Sequence, residues 1–183
     1  MYDYLIVHGS YGTQFENWFP WLFEQLEQRE KKVLAPQFPT INQNLSDWDA
    51  TLKTYDKYIG ENTSIIAHSL GPAFALDYII QHKKKVKNLY FAAPFYGSIN
   101  IEEFDSVNKT FFVLSDLSDA KQFFNKAWCF YSDNDPYVPQ KMSIDFSQAL
   151  MAKETIVRGG KHLNASAGFT VFRELLKEIE KND

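Results

Sequence analysis

A chain of 183 residues, 45% apolar and 16% aromatic, is expected to bury roughly 70% of its unfolded surface, which excludes the disordered and low-complexity classes. Its formal charge of -4 leaves no electrostatic footprint for nucleic acid or for an anionic membrane surface. Cys129 is the single cysteine, so internal disulfides, cysteine metal clusters and CxxC redox chemistry are excluded, and a reducing cytoplasm is the expected setting.

The first residues, Met-Tyr-Asp-Tyr, hold no basic segment ahead of an apolar one, so no secretory signal is expected. Short apolar runs then alternate with helical patterns, the order of a parallel sheet covered by helices on both faces. Tyr4–Val7 reads as a first strand ending at His8-Gly9. Phe15, Trp18, Phe19, Leu22, Phe23 and Leu26 follow at helical spacing, with Asn17 as a cap and Pro20 in the first turn, where backbone N–H groups lack partners anyway. Residues 32–35 predict a second strand, and the Pro-containing link 36–45 is expected at the surface. Ser46, with Asp49 three residues on, predicts a helix start ahead of the stripe Trp48, Leu52, Tyr55.

Residues 64–67 predict a third strand. The helix after it carries Phe74, Ala75, Tyr78 and Ile79 and closes on Gln81, His82 and three lysines, Lys83, Lys84 and Lys85, whose charge suits a helix carboxyl end. Interruption of residues 65–80 by His68, Ser69, Gly71, Pro72 and Asp77 argues against a transmembrane span. Residues 87–92 and 127–131 read as the fourth and fifth strands. Between them, 111–114 has a strand pattern and 119–126 a helical one. Pro139 opens a helix running to about Met151, 154–157 is a sixth strand, and 166–180 is the closing helix. No linker separates two cores, so one domain spanning 1–183 is expected.

Ser69 falls between a strand and a helix. A sharp turn there lifts its hydroxyl clear of the sheet and aims the following N–H groups, with the positive end of the helix, at whatever binds. Small residues must flank the serine for the turn to close, and Ala67-His68-Ser69-Leu70-Gly71 supplies them, with Ala67 where Gly-x-Ser-x-Gly has glycine. A serine nucleophile needs a histidine base and an acid to orient it, in the order serine, aspartate, histidine. Of the four histidines, His8 precedes the serine, His68 adjoins it on the strand, and His82 ends the following helix, so elimination selects His162. Asp133 and Asp135 compete for the acid. Asp135 is favoured because Pro136 restricts its backbone to extended conformations. For the oxyanion, the N–H of Leu70 is one candidate donor; the loop His8-Gly9-Ser10-Tyr11-Gly12 supplies the other, Ser10 first and Tyr11 second.

With these residues the chain resembles the α/β-hydrolase superfamily, and more closely the small lidless serine hydrolases similar to retinoblastoma-binding protein nine. The likeness runs over almost the whole length: His8-Gly9, Asn17-Trp18-Phe19-Pro20, the His-Ser-Leu-Gly turn, Asp135-Pro136, and Gly160-Lys161-His162. It implies a compact three-layer α/β/α sandwich on a mainly parallel sheet of about six strands, without a separate cap domain. The expected function is hydrolysis of an ester or amide bond in a small molecule through Ser69, Asp135 and His162 and an acyl-enzyme intermediate, with no metal or organic cofactor. Tyr11, Trp18, Phe95 and Tyr137 are expected to bind substrate; Phe15, Tyr96, Phe123 and Phe124 are further aromatic candidates. The rival class is a catalytically weak hydrolase-fold module that binds a protein partner. A dinucleotide enzyme is disfavoured by the missing glycine fingerprint.

Overall fold

In β1 (Tyr4–Val7) successive side chains point to opposite faces, and all are buried. Leu5 and Val7 join one apolar cluster while Tyr4 and Ile6 join a second. The division repeats in β3 (Ser64–His68), β4 (Asn88–Ala92) and β5 (Lys126–Ser132), where Ile65, Leu89, Phe91 and Cys129 face one way and Ile66, Tyr90, Trp128 and Phe130 the other. Strands buried on both faces suit parallel pairing, because every crossover lays a helix over the sheet. The computed structural model describes residues 1–183, and its six strands, with β2 (Val33–Leu34) and β6 (Lys153–Val157), pair in parallel in the order β2-β1-β3-β4-β5-β6.

Helices α1 (Phe19–Glu27) and α6 (Arg173–Lys181) cover one face through Phe19, Leu22, Leu26, Leu175 and Ile179. The other is covered by α2 (Leu45–Lys53), α3 (Gly71–Gln81) and α5 (Gln140–Ala149), which contribute Trp48, Phe74, Tyr78 and Phe146. This is the three-layer sandwich expected. Since β1 lies between β2 and β3, the chain reverses its direction of travel across the sheet there, and the crevice at the carboxyl ends of β1 and β3 is where such sheets bind ligands. No helix is long and apolar enough to cross a membrane.

Several local expectations are corrected. Asn17 has φ +55° and does not cap α1; that helix starts after Trp18, with Pro20 in its first turn as expected. Asn44, not Ser46, caps α2 by accepting from the Asp47 N–H at 3.0 Å. The link before α2 buries Phe38 and Gln43 instead of lying wholly at the surface. Of the three lysines, none falls in the last turn of α3; Lys84 pairs with Asp56 at 2.8 Å. Residues 111–114 form no strand: Phe111 ends a 3-10 turn after the short α4 (Glu102–Asn108) and plugs the core. Residues 117–123 are a 3-10 helix, not an α-helix. The closing helix begins at Arg173, since Asn164 caps a separate 3-10 turn that Gly168 ends at φ +88°.

At Gly71 a Cβ would stand 2.8 Å from the carbonyl oxygens of both Val7 and His8, so α3 starts in backbone contact with β1. The Val7 carbonyl belongs to β1 and cannot move without disturbing the sheet. Gly71→Ala is therefore expected to lower stability by about 1–3 kcal/mol, read as a lower urea midpoint at unchanged m-value; an unchanged midpoint would show that the contact yields.

Candidate active site

The turn from β3 to α3 holds Ser69 at φ +60°, a left-handed backbone that a residue with a Cβ adopts at a cost of roughly 1–2 kcal/mol. The Ser69 N–H donates to Ala92 O at 2.9 Å, which fixes the turn to the end of β4. Ala67 fits: it is fully buried, and its Cβ lies 3.2 Å from the position a Gly71 Cβ would take, so this turn closes with alanine where glycine is usual. Gly9 brings the first loop equally close, since a Cβ there would meet the Ser69 Cβ at 2.9 Å.

Ser69 Oγ lies 3.1 Å from His162 Nε2, and His162 Nδ1 lies 2.7 Å from Asp135 Oδ2. With Nδ1–H donating to the carboxylate, Nε2 is left as the acceptor for the serine hydroxyl. The other carboxylate oxygen of Asp135 accepts from the backbone N–H groups of Tyr137 and Val138 at 2.9 and 3.0 Å. Asp133, the competing acid, is committed elsewhere: its Oδ1 accepts from the Gly159 N–H at 2.8 Å. Asn134 holds the Lys161 N–H at 2.8 Å, and the Ser132 hydroxyl donates to the Lys161 carbonyl. Four consecutive residues, the last of β5 and the three after it, thus grip the loop that carries His162.

In the first loop the Ser10 N–H donates to no protein group, and neither does the N–H of Leu70. The Tyr11 N–H, the second choice, is taken by Gln43 Oε1 at 2.9 Å. His8 shapes this loop from below: Nδ1–H donates to Gly9 O at 2.9 Å, and Nε2 accepts from the Phe38 N–H at 3.0 Å. Ser10, in the loop that Gly9 brings against Ser69, and Leu70, next to Ser69 in the chain, thus each keep an N–H without a protein partner.

The cleft over Ser69 has an apolar wall of Phe95, Ile99, Phe104, Tyr137 and Val138, and a polar wall of Glu16, Asn17 and Asn164. Phe95 and Tyr137 stand where expected, and the Tyr137 ring meets the His162 ring edge-on at 5.0 Å. Trp18 does not line the cleft: it is fully buried, and its Nε1–H supports the His162 loop from beneath by donating to Leu163 O at 3.0 Å. Tyr11 is turned outward, with its hydroxyl 3.3 Å from Glu103 O. Phe15 is 78% exposed, the Tyr96 hydroxyl is engaged with Leu114, and Phe123 and Phe124 lie at the opposite end of the sheet from Ser69. Sequence reasoning missed Ile99, Phe104 and Asn108 because the segment carrying them showed no clean period.

A model of the serine hydrolase family matches residues 4–181. The chain belongs to that family. YdeN of Bacillus subtilis is 28% identical over 170 residues, covering 90% of this chain and 87% of YdeN. The crystal structure of the B. subtilis ydeN product superposes with a TM-score of 0.91 at 24% identity, over 100% of this chain and 98% of that one. Est1E of Butyrivibrio proteoclasticus has a TM-score of 0.69 at 15% identity over 96% and 84% of the two chains, and mouse α/β-hydrolase domain-containing protein 10 has 0.67 at 12% over 97% and 86%. The fold is therefore that of the α/β-hydrolase superfamily, in its small lidless form.

In this serine hydrolase His68 has a part that its place on the strand did not reveal. Its Nε2–H donates to the carbonyl of His162 at 2.8 Å, and the two rings meet at 4.9 Å. Burial first, and the neighbouring His162 second, push the His68 imidazole down to about 3. It stays neutral, so no cation sits beside the His162 ring. Because the folded value lies below the ordinary one near 6.5, an unfolded chain below that pH binds a proton that the native state refuses. The stabilisation is complete above about pH 6.5 and is lost as pH falls toward about 3. Wild type is expected to lose about 1.4 kcal/mol more per pH unit than His68→Gln between about pH 6 and 4. Urea unfolding at fixed ionic strength measures both slopes, and parallel slopes would exclude this role.

Proposed function

We propose that the protein hydrolyses an ester or amide bond of a small molecule through an acyl-enzyme on Ser69. The observation that carries this reading is the unbroken line Ser69 Oγ, His162 Nε2, His162 Nδ1, Asp135 Oδ2, at 3.1 and 2.7 Å, beside two N–H groups without protein partners. Ser69 Oγ attacks the carbonyl carbon while its proton passes to His162 Nε2, and the carbonyl π electrons move to the oxygen. The Ser10 and Leu70 N–H groups receive that oxyanion, and Asp135 stabilises the imidazolium. The oxyanion then collapses, the bond to the leaving group breaks, and His162 returns the proton to the departing alcohol or amine. Water repeats the sequence on the acyl-enzyme, releasing the acid and restoring the Ser69 hydroxyl. The acyl chain lies along the apolar wall of Phe95, Ile99 and Phe104, and the leaving group departs past His162.

Ser69→Ala is expected to lower kcat/KM on p-nitrophenyl esters at least about a thousandfold, and a fluorophosphonate probe should label wild type at Ser69 alone. Equal hydrolysis by both proteins, or an unlabelled folded wild type, would rule the reaction out. Asp135→Asn should cost on the order of 10³ to 10⁴ in kcat, because the amide no longer holds the imidazole in the right tautomer. Asp133→Asn keeps an acceptor for the Gly159 N–H and should change kcat by only a few-fold at most; a larger loss there than at Asp135 would reassign the acid.

A further inference from the structure

The apolar side of the cleft holds one polar side chain, one atom of which is engaged by neither Ser69, His162 and Asp135 nor the loop after β1. Phe104 and Asn108 are one turn apart on α4, so they share a face, and both line the cleft beside Ile99. Asn108 is only 1% exposed, and its Oδ1 accepts from Ser10 Oγ and from Gln43 Nε2, each at 2.7 Å.

Donors that cannot change roles dictate the direction of both amides. The Tyr11 N–H can only donate, so the Gln43 atom it meets at 2.9 Å is the oxygen. Gln43 therefore presents its nitrogen to Asn108, and the Asn108 atom it meets is again the oxygen; the reverse would set two NH2 groups against each other. Asn108 Nδ2 is what remains. It donates to no protein group, and it is not sealed in, since the side-chain polar atoms buried without a partner are Asp77 Oδ1 and Trp128 Nε1. The cleft is the cavity that Asn108 lines, so the small exposed area of Nδ2 belongs to it, near the carbon-rich side chains of Phe95, Ile99 and Phe104.

We propose that Asn108 Nδ2 is a specificity-determining donor that selects acyl groups carrying an oxygen acceptor, an ether or carbonyl oxygen, within a few bonds of the scissile carbonyl. This rests on the hydrolase reading of Ser69. A purely hydrocarbon chain laid on this wall strips water from the amide and gives nothing back, whereas an oxygen in the chain replaces the lost hydrogen bond. Sites that hold a directed donor discriminate against the analogue that cannot accept from it.

Methoxyacetyl and butyryl chains have the same length and shape and differ by an oxygen in place of a methylene. The test compares kcat/KM for their p-nitrophenyl esters in wild type, Asn108→Asp and Ser69→Ala. Asn108→Asp keeps an acceptor for Ser10 and Gln43 and replaces the amide donor; the negative charge it adds beside the oxyanion loop weighs on both esters and cancels in their ratio. The methoxyacetate-to-butyrate ratio should fall about tenfold in Asn108→Asp, and intrinsic ester reactivity cancels between the two proteins. An unchanged ratio, even with both rates lowered together, would mark Asn108 as a mount for Ser10 and overturn the proposal. Wild type alone gives a second measurement that needs no variant: its ratio should exceed the ratio for hydroxide-catalysed hydrolysis by about tenfold, and equality overturns the proposal. Wild-type rates no faster than Ser69→Ala on either ester would instead remove the hydrolase reading, and the donor's role with it.

Discussion

The left-handed backbone at Ser69 is the constraint on which the rest of the structure depends. An L-residue at φ +60° persists only where its surroundings leave no alternative. Here the residue before it ends β3, its own N–H is tied to β4, and α3 begins two residues later with Gly71 against the carbonyls of Val7 and His8. Relaxing the turn would therefore pull apart three neighbouring elements at once. The strain is small beside the apolar burial on both sheet faces, and the hydroxyl it holds lies within hydrogen-bond reach of His162.

That geometry is useful only if the partners arrive already ordered, and the hydrogen bonds show how they are. The His162 loop is held from the side by Asp133, Asn134 and the Ser132 hydroxyl, from beneath by Trp18, and at its own carbonyl by His68. None of these contacts needs to touch substrate. Together they spare the imidazole the entropic cost of finding its position in each turnover, which is where positioned groups gain most of their advantage. A neutral His68 also serves this end on the proposed reading, in which His162 takes up the serine proton, since a charged neighbour would disfavour that step.

Strand positions were legible because apolar runs bounded by Gly, Pro and charged residues have few other readings, and the meeting of Ser69, Asp135 and His162 was legible because the fold dictates which strand ends come together. What failed did so for identifiable reasons. Asn44, Ser46 and Asp47 are all competent caps, and only backbone geometry decides among them. Phe111 and Phe112 have a strand's composition because they cover the core, a task that a 3-10 turn performs equally well. Trp18 sits beside the motif in sequence, yet the helix after it rotates the indole into the core. Alternation along the strand turns His68 away from the serine, and no local pattern says that the His162 loop folds back to meet it.

The same limit explains why Asn108 escaped the sequence. Its environment is assembled from three distant places, Ser10 after β1, Gln43 before α2 and its own helix, and only the tertiary fold brings them together. A buried amide at such a junction is costly unless every donor and acceptor is satisfied, so a fold that needed only to pack this wall would do better with leucine. Retaining asparagine has two physical consequences here: its oxygen ties the loop after β1 to α4, and its nitrogen is left without a protein partner in a residue that lines the cleft. The first would be served as well by a carboxylate, which accepts more strongly. The amide differs from a carboxylate in lacking its charge and in carrying a donor, and on the proposed reading that donor is what sets the preference of the cleft.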